Sequence, residues 1–464
     1  MAEAQLGRFG DRRLAATGDA LLEAMQKHQS MCLHVLGGSR EQSRRFGEFL
    51  DNEAVSRREM LARAGQMTGQ RAAGRHVLAV ADTTELNFAK HAASKRGFGT
   101  VGNGKDIGVL VHPVVAVDAE HGGILGLVGA EVINRGPARV EDHKLRIADD
   151  KESRRWLTGA ELVADLLSSA AIITAVEDRE GDIYDQFARR PPNVHLLVRA
   201  AQDRSVDGDG KLFETCANWS AVAHCTITVP ARRGGFGKGP QAERTALVAV
   251  RFGEVAVRRP STADKRLPAT LTLRVVDVRE VNPPEPKQAV HWCLLTTHAV
   301  SSAAEAMQVV RWYRLRWTIE QVFRTLKTDG VAVETSQITT PNALLKLVTV
   351  ALIAAIRVMQ LVIGRDGGTQ QPLSDVVADP AEVAALGAIN QTLEGRTERL
   401  KNPFDPATLA WFAWIVARMG GWSGYTSKGY KPAGPKTMAR GLKRLDAMVA
   451  GWMIANRSAV TRLP

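Results

Sequence analysis

The stretch VVRWYRLRWTIEQVFRTLKTDG carries a tyrosine, an arginine, a glutamate and a lysine at helical spacing. On a helix at about 100° per residue, Tyr313, Arg316, Glu320 and Lys327 share an arc about 60° wide. Trp312, Leu315, Ile319, Val322, Phe323 and Leu326 fall on another side. One face therefore reads as core, and the stripe beside it holds a carboxylate among cations. A surface helix with ion pairs three or four residues apart gives the same wheel. Two further carboxylates bear on the choice. Asp82 closes the apolar run HVLAVAD, and Asp178 closes AIITAVED. A carboxylate at a strand end can simply cap the next turn. Two such ends in one sheet, with Glu320 on a helix nearby, also meet the needs of phosphoryl transfer. That chemistry uses two hard divalent cations about 4 Å apart to clamp the attacking and leaving oxygens. Oxygen donors select Mg²⁺, with Mn²⁺ able to substitute, and Mg²⁺ keeps several waters, so few carboxylates suffice. Neighbouring cations would position phosphates.

These side chains need a scaffold that turns strand ends toward a helix. Residues 1–70 read as a helical unit, with apolar residues at helical spacing in DALLEAMQKHQSMCLHVL and around Phe46, Phe49 and Leu50. HVLAVAD is a short buried strand. IGVLVHPVVAVD, the turn EHGG and ILGLVGAEVI form a hairpin. SRRWLTGAELVADLLSS reads as a helix, followed by the strands AIITAVED and NVHLLVRA. Strands alternating with helices indicate an α/β sheet with a covered face. Residues 205–288 are strand-rich, with Gly- and Pro-rich turns, and read as a β-rich insertion. AVHWCLLTT returns to a strand, and helices dominate the remainder.

The chain has 464 residues, 61 Lys plus Arg against 49 Asp plus Glu, and a formal charge of +12. A balance this basic points to a polyanion, first of all nucleic acid. The segment from Arg396 to Pro464 holds twelve basic residues and three acidic ones. Four cysteines (Cys32, Cys216, Cys225, Cys293) lie scattered without a CxxC pair, which excludes a zinc ribbon and argues against a disulfide framework. The opening MAEAQLGRFGDRR has no apolar signal region. The longest apolar stretch, Ala343 to Gly364, is interrupted by Lys346, Arg357 and Gln360, so a buried helix is expected rather than a membrane span. GTVGNGKD has a GxxxxGK skeleton but no Ser or Thr after the lysine, and it precedes a strand, so no nucleotide cofactor is expected. His112, His143 and His291 read as structural residues, and the basic loop from Arg232 to Lys238 as either a phosphate clamp or a surface tip.

The chain resembles the DDE transposases of bacterial insertion sequences, and among them the Tn-five-like branch of the IS-four family. That branch carries Tyr-x2-Arg-x3-Glu-x6-Lys, matched by Tyr313, Arg316, Glu320 and Lys327. Its first aspartate precedes Thr-Thr, as in Asp82-Thr83-Thr84, and its second opens Asp-Arg-Glu-x-Asp, as in Asp178-Arg179-Glu180-Gly181-Asp182. DKES followed by Trp156 is also similar. The resemblance implies a ribonuclease-H-like catalytic core, residues 71–204 and 289–368, interrupted by the insertion. It implies a DNA-end-binding helical unit over 1–70 and a basic helical region over 369–464 that dimerises. It implies Asp82, Asp178 and Glu320 as metal ligands, and Tyr313, Arg316, Lys327, Trp292 and Arg199 as DNA contacts. Trp292, which lies 28 residues before Glu320, would hold a flipped base. The branch often has Tyr-Arg where this chain has Gly47-Glu48, a departure that Arg44 and Arg45 could offset.

The expectation is therefore an α/β protein of the cytoplasm that cuts double-stranded DNA and joins it to a target, as a Mg²⁺-dependent homodimer assembled on DNA. Two alternatives stay open. One is a metal-dependent nuclease on the same core, and the other is a DNA-binding regulator derived from a transposase. The last helix places Met438, Leu442, Leu445, Met448, Val449, Trp452 and Met453 on one face, suited to internal packing or to a second copy.

Overall fold

The structure is a computed structural model and describes residues 4–102, 104–135, 154–208, 210–231, 240–377, 379–426 and 429–456. The Arg232 to Lys238 loop, His143 and the DKES tetrapeptide lie outside the described residues. Four helices come first: α1 (Arg12–His28), α2 (Leu33–Gly37), α3 (Arg40–Asp51) and α4 (Arg57–Ala72). Their starts follow from local chemistry. Asp11, Ser39 and Ser56 each accept a hydrogen bond from a backbone N–H of the first turn they cap.

The central part runs β1 (His76–Ala81), β2 (Thr84–Asn87), β3 (Thr100–Val101), β4 (Asp106–Asp118), β5 (Ile124–Ile133), α5 (Arg154–Leu166), β6 (Ile172–Glu177), α6 (Tyr184–Arg189) and β7 (Val194–Arg199). It continues through α7 (Leu212–Ala217), β8 (Ala223–Val229), β9 (Arg244–Arg258), β10 (Thr270–Glu280) and β11 (His291–Thr296). These eleven strands form one sheet, in the order β2-β4-β1-β6-β7-β11-β10-β9-β8, with β3 and β5 also paired to β4. The pair β4–β5 is the antiparallel hairpin expected from EHGG. Strands β1, β6 and β7 are mutually parallel, and α5 and α6 supply crossovers of the kind parallel pairing demands. Strands β8, β9 and β10 do not fold away from this sheet. They extend it antiparallel through β11.

Helices close the chain: α8 (Ala303–Leu315), α9 (Trp317–Arg324), a π-helical turn over Thr325–Asp329, α10 (Pro341–Gly364), α11 (Pro380–Leu393), α12 (Leu409–Met419) and, after the short strands β12 (Tyr425–Thr426) and β13 (Gly429–Tyr430), α13 (Pro435–Ala455). Helix α10 is long and apolar enough to cross a membrane, yet 89% of its apolar window is buried inside the fold. It packs against α1, α3, α4, β5, α12 and α13, so one hydrophobic core joins the N-terminal helices to the sheet. Its Lys346 is buried and donates from Nζ to the carbonyls of Leu50 and Asn52, each at 2.8 Å, tying α10 to the end of α3. Close approach explains Gly65 on α4, where a Cβ would stand 2.5 Å from the Val128 carbonyl of β5. The apolar stripe of α13 packs inward against α1, α11 and α12, with Met438, Leu445 and Val449 buried, while Met448 remains exposed.

Candidate active site

Strand register brings the two aspartates level. In the β1–β6 pair His76 lies opposite Ile172 and Val80 opposite Val176. Continuing that offset sets Asp82 beside Asp178, just past the ends of their strands. In the β6–β7 pair Glu177 lies opposite Val198, so the same continuation sets Asp178 beside Arg199. Asp82, Asp178 and Arg199 thus form a row across three parallel strands at their C-terminal edge. In open α/β sheets, ligands collect beyond the carboxyl ends of the strands.

The helix with Tyr313, Arg316 and Glu320 crosses this row. It is not the uninterrupted α-helix that the wheel assumes. Helix α8 starts at a capping box made by Ser302 and Glu305, and it ends at Leu315. Arg316 is a tight turn, its N–H donating to the Tyr313 carbonyl, and α9 resumes at Trp317. The π-helical turn then carries Lys327, and its wider winding moves that residue off the 100° wheel. The expected core face holds at Ile319, Val322, Phe323 and Leu326, all buried, whereas Trp312 and Leu315 are only partly so. Tyr313 departs from the expected polar stripe. It is 5% exposed and belongs to the core.

Arg316 joins the helix to the strands. Its Nη1 donates to Asp82 Oδ2 at 2.9 Å and its Nη2 to Glu320 Oε1 at 2.6 Å. Its guanidinium lies 5.9 Å from the Tyr313 ring, and Trp292 meets that ring edge-on, centroids 5.3 Å apart. Arg199 donates from Nη2 to the His291 carbonyl at 2.7 Å and interacts with the Tyr313 phenol. Seven of the eight sequence-predicted residues thus form one connected group. Lys327 is the exception. It is half-buried and forms no ion pair with a described residue.

Burial pushes the Asp82 carboxyl up to about 6, and the neighbouring Asp178 and Glu320 charges add to the rise, against Arg316 and the Thr83 N–H. That shift corresponds to on the order of 3 kcal/mol favouring the protonated acid. The site thus concentrates negative charge that one guanidinium only partly offsets. Burial pushes the Tyr313 phenol up, with a smaller push from Asp178, against Arg316 and Arg199. Glu177, beside Asp178, is fully buried and held well above the carboxylate range by desolvation. Its Oε1 accepts from Gln186 Nε2 at 2.6 Å. The turn after it needs Gly181, because a Cβ there would lie 2.1 Å from Glu177 Oε2.

The Asp-Arg-Glu-Gly-Asp run divides by role. Asp178 faces the group just described. Asp182 is buried, pairs with Arg204 at 2.6 Å and accepts from the N–H of Ala201 and Gln202, so it fastens the chain after β7. Two more side chains reach this edge, Arg155, which sequence reasoning missed, and His112, which it reads as structural. Arg155 donates to Thr83 Oγ1 and pairs with Glu180, and His112 meets Thr83 from beneath. The one signal for Arg155 is a cation in the first turn of a helix, where the macrodipole disfavours it. His112 is 2% exposed, as its structural reading requires, and burial pushes its imidazole down to about 3. His291 Nε2 donates to Asp277 Oδ1 at 2.8 Å. In the N-terminal unit Glu48 pairs with Arg44 and Arg45 with Glu41, so the arginines beside the Gly47-Glu48 departure are engaged locally.

The donor set is hard oxygen, as Mg²⁺ or Mn²⁺ prefers. Among the described residues no three His, Cys, Asp or Glu side chains are grouped closely enough to hold one ion as they stand. Arg316 bridges two of the carboxylates instead. A Mg²⁺ site typically uses one or two carboxylates together with substrate phosphates, so a closed three-acid cage is not required. A family model described as Transposase DDE domain matches residues 73–357, from just before β1 through most of α10 and so across the whole carboxylate edge. With more than half its length matched and an acidic site at the C-terminal edge of its parallel strands, the chain belongs to the DDE transposase family, proteins of DNA recombination and transposition.

Proposed function

We propose that the chain is a cut-and-paste transposase of the Tn-five-like branch of the IS-four family, with a ribonuclease-H-like core over 71–204 and 289–368. Asp82, Asp178 and Glu320 would hold Mg²⁺, which supplies activation of the attacking oxygen and stabilisation of the leaving one. The single observation that carries this reading is the Arg316 bridge between Asp82 and Glu320, at a strand edge where Asp178 stands level with Asp82. An arginine held by two carboxylates keeps like charges together until a cation and a phosphate arrive. Arg316, Arg199 and Lys327 then position the DNA backbone. The Tyr313 hydroxyl is a further phosphate donor, and Trp292, seated on the Tyr313 ring, offers a face to an unstacked base.

The other units take the roles the resemblance implies. Residues 1–70 recognise the element's ends, 205–288 extend the sheet, and 369–464 support a dimer on DNA. The +12 charge suits a partner made of phosphates. The test is a cleavage and strand-transfer assay on paired end duplexes with Mg²⁺. Hairpin ends followed by joined product support the reading. Nicks that are never joined favour a nuclease on the same core.

A further inference from the structure

We infer that Arg155 is a positioning residue that sets the separation of the Asp82 and Asp178 carboxylates; this rests on the reading of those two aspartates as metal ligands. Both lie past the last paired residues of β1 and β6, where the β1–β6 ladder ends at Val80 and Val176. Register sets the two aspartates level, but no backbone pairing at Asp82 or Asp178 themselves fixes how far apart their carboxylates stand. Arg155, in the first turn of α5, spans the two loops. Its Nε donates to Thr83 Oγ1 at 3.2 Å, and its Nη2 pairs with Glu180 Oε2 at 2.8 Å.

Each anchor in turn holds a carboxylate. The Thr83 N–H donates to Asp82 Oδ1 at 2.7 Å, and the Glu180 N–H donates to Asp178 Oδ1 at 2.9 Å. The arrangement is the same on both sides. One planar guanidinium grips a side chain, and the backbone N–H of that same residue orients the acid beside it. A rigid fork transmits distance in a way that a flexible ammonium does not. The fork is itself held in place. Its side chain is 10% exposed, and its guanidinium lies 5.6 Å from the ring of the neighbouring Trp156. That ring packs edge-on against His112, centroids 4.6 Å apart, and His112 Nδ1 is 3.0 Å from Thr83 Oγ1. Because Arg155 can only donate, the Thr83 hydroxyl accepts from it, and the same oxygen is in hydrogen-bond reach of His112 Nδ1.

The experiment is titration of the full chain with Mn²⁺ alone, read by electron paramagnetic resonance, for the wild type and for R155A, R155K, E180Q and D178N. Binding of a random-sequence duplex is measured in parallel. The expected result is that R155A weakens Mn²⁺ binding about tenfold or more, the usual cost of an outer-shell partner. E180Q, on a loop, weakens it in the same direction and keeps the test alive if R155A does not fold. R155K restores part of the loss, and duplex affinity moves less than Mn²⁺ affinity in every variant. If D178N binds Mn²⁺ as the wild type does, the reading of the aspartates fails and the inference falls with it. If D178N loses the ion while R155A and E180Q stay within twofold of wild type, only the role of Arg155 is overturned.

Discussion

The two ends of β1, β6 and β7 are built from opposite materials. At the C-terminal edge stand Asp82, Asp178, Arg199 and the Arg316 bridge, all charged or poised to be. At the other end, His76 opens β1, Thr174 lies in β6 and His195 in β7, joined by His298 just after β11. The Thr174 hydroxyl lies 2.8 Å from His76 Nε2 and 2.7 Å from His298 Nε2. His195 stacks on His298 with centroids 4.0 Å apart, and Trp312 meets both His76 and His298. Burial, aided by mutual repulsion, pushes His76 down to about 4 and His298 to about 3. One end thus gathers like charges and retains them, and the other gathers titratable rings and keeps them neutral. A cluster that solves its electrostatics by going neutral suits a fastening. A cluster that leaves negative charge only partly offset suits a cation and a polyanion.

The largest expected difference between the ends is in chemistry. D178N or E320Q should lower DNA cleavage by about three orders of magnitude, since metal stabilisation of transition-state charge is worth several kcal/mol and each 1.36 kcal/mol is tenfold. H298N should leave the cleavage rate of the folded protein within about threefold. Equal losses at both ends, measured on protein of matched folded fraction, would erase the distinction. A smaller effect is expected for R316A. Cleavage should fall about a hundredfold, a typical cost for one preorganised charge donor. Yet Mn²⁺ uptake by the DNA-free protein should strengthen, because the guanidinium no longer occupies Asp82 and Glu320. Weaker uptake in R316A would mean that the arginine organises the acids rather than standing in for a cation.

Much of the charged end was legible in the residues, and almost none of the neutral end was. Asp82 and Asp178 stand out because each terminates an apolar run, and Glu320 because its neighbours repeat at helical spacing. The strands themselves were readable from alternation and composition. What periodicity could not supply was register and local winding. The turn at Arg316 and the π-helical segment change where Lys327 points, and burial takes Tyr313 from the polar stripe into the core. The imidazole cluster had no local signature. His76 and Thr174 are 98 positions apart and Thr174 and His298 are 124, so only strand pairing, parallel across β1, β6 and β7 and antiparallel between β7 and β11, brings them together. The role of Arg155 was hidden for the same reason, its two anchors being 72 and 25 positions away.

Acid should separate the ends by stability. The unfolded chain binds protons at its histidines near pH 6.5, whereas folded His76 and His298 bind them only near 4 and 3. The unfolded state therefore holds more protons through this window, and stability falls as pH drops from about 6.5 toward 4. Asp118 opposes the shift of His76, and Arg190 adds to the lowering of His195. A melting-temperature profile should show this acid slope in the wild type and a shallower one in H298N. An identical slope in both would assign the acid loss to the carboxylates instead.

The smallest contrast compares two hydroxyls. Thr174 is fully buried between two imidazole nitrogens, and Thr83 lies between Arg155 and His112. Thr174 bridges two Nε2 atoms, which its hydroxyl can serve together, with one hydrogen to donate and two lone pairs to accept. T174V keeps the shape, removes both bonds and leaves two nitrogens without partners, at a cost of about 1–3 kcal/mol. T83V also removes two bonds, but one is to a cation that keeps its pair with Glu180, so only His112 Nδ1 is left without a partner and the stability loss should be smaller. The order reverses for function: T83V should shift the Mn²⁺ dependence of cleavage, and T174V should not. Denaturant midpoints and Mn²⁺ titrations on the two variants give four numbers. If T174V moved the metal dependence as much as T83V, the two ends would be coupled through the strands, and the division into a fastening end and a working end would fail.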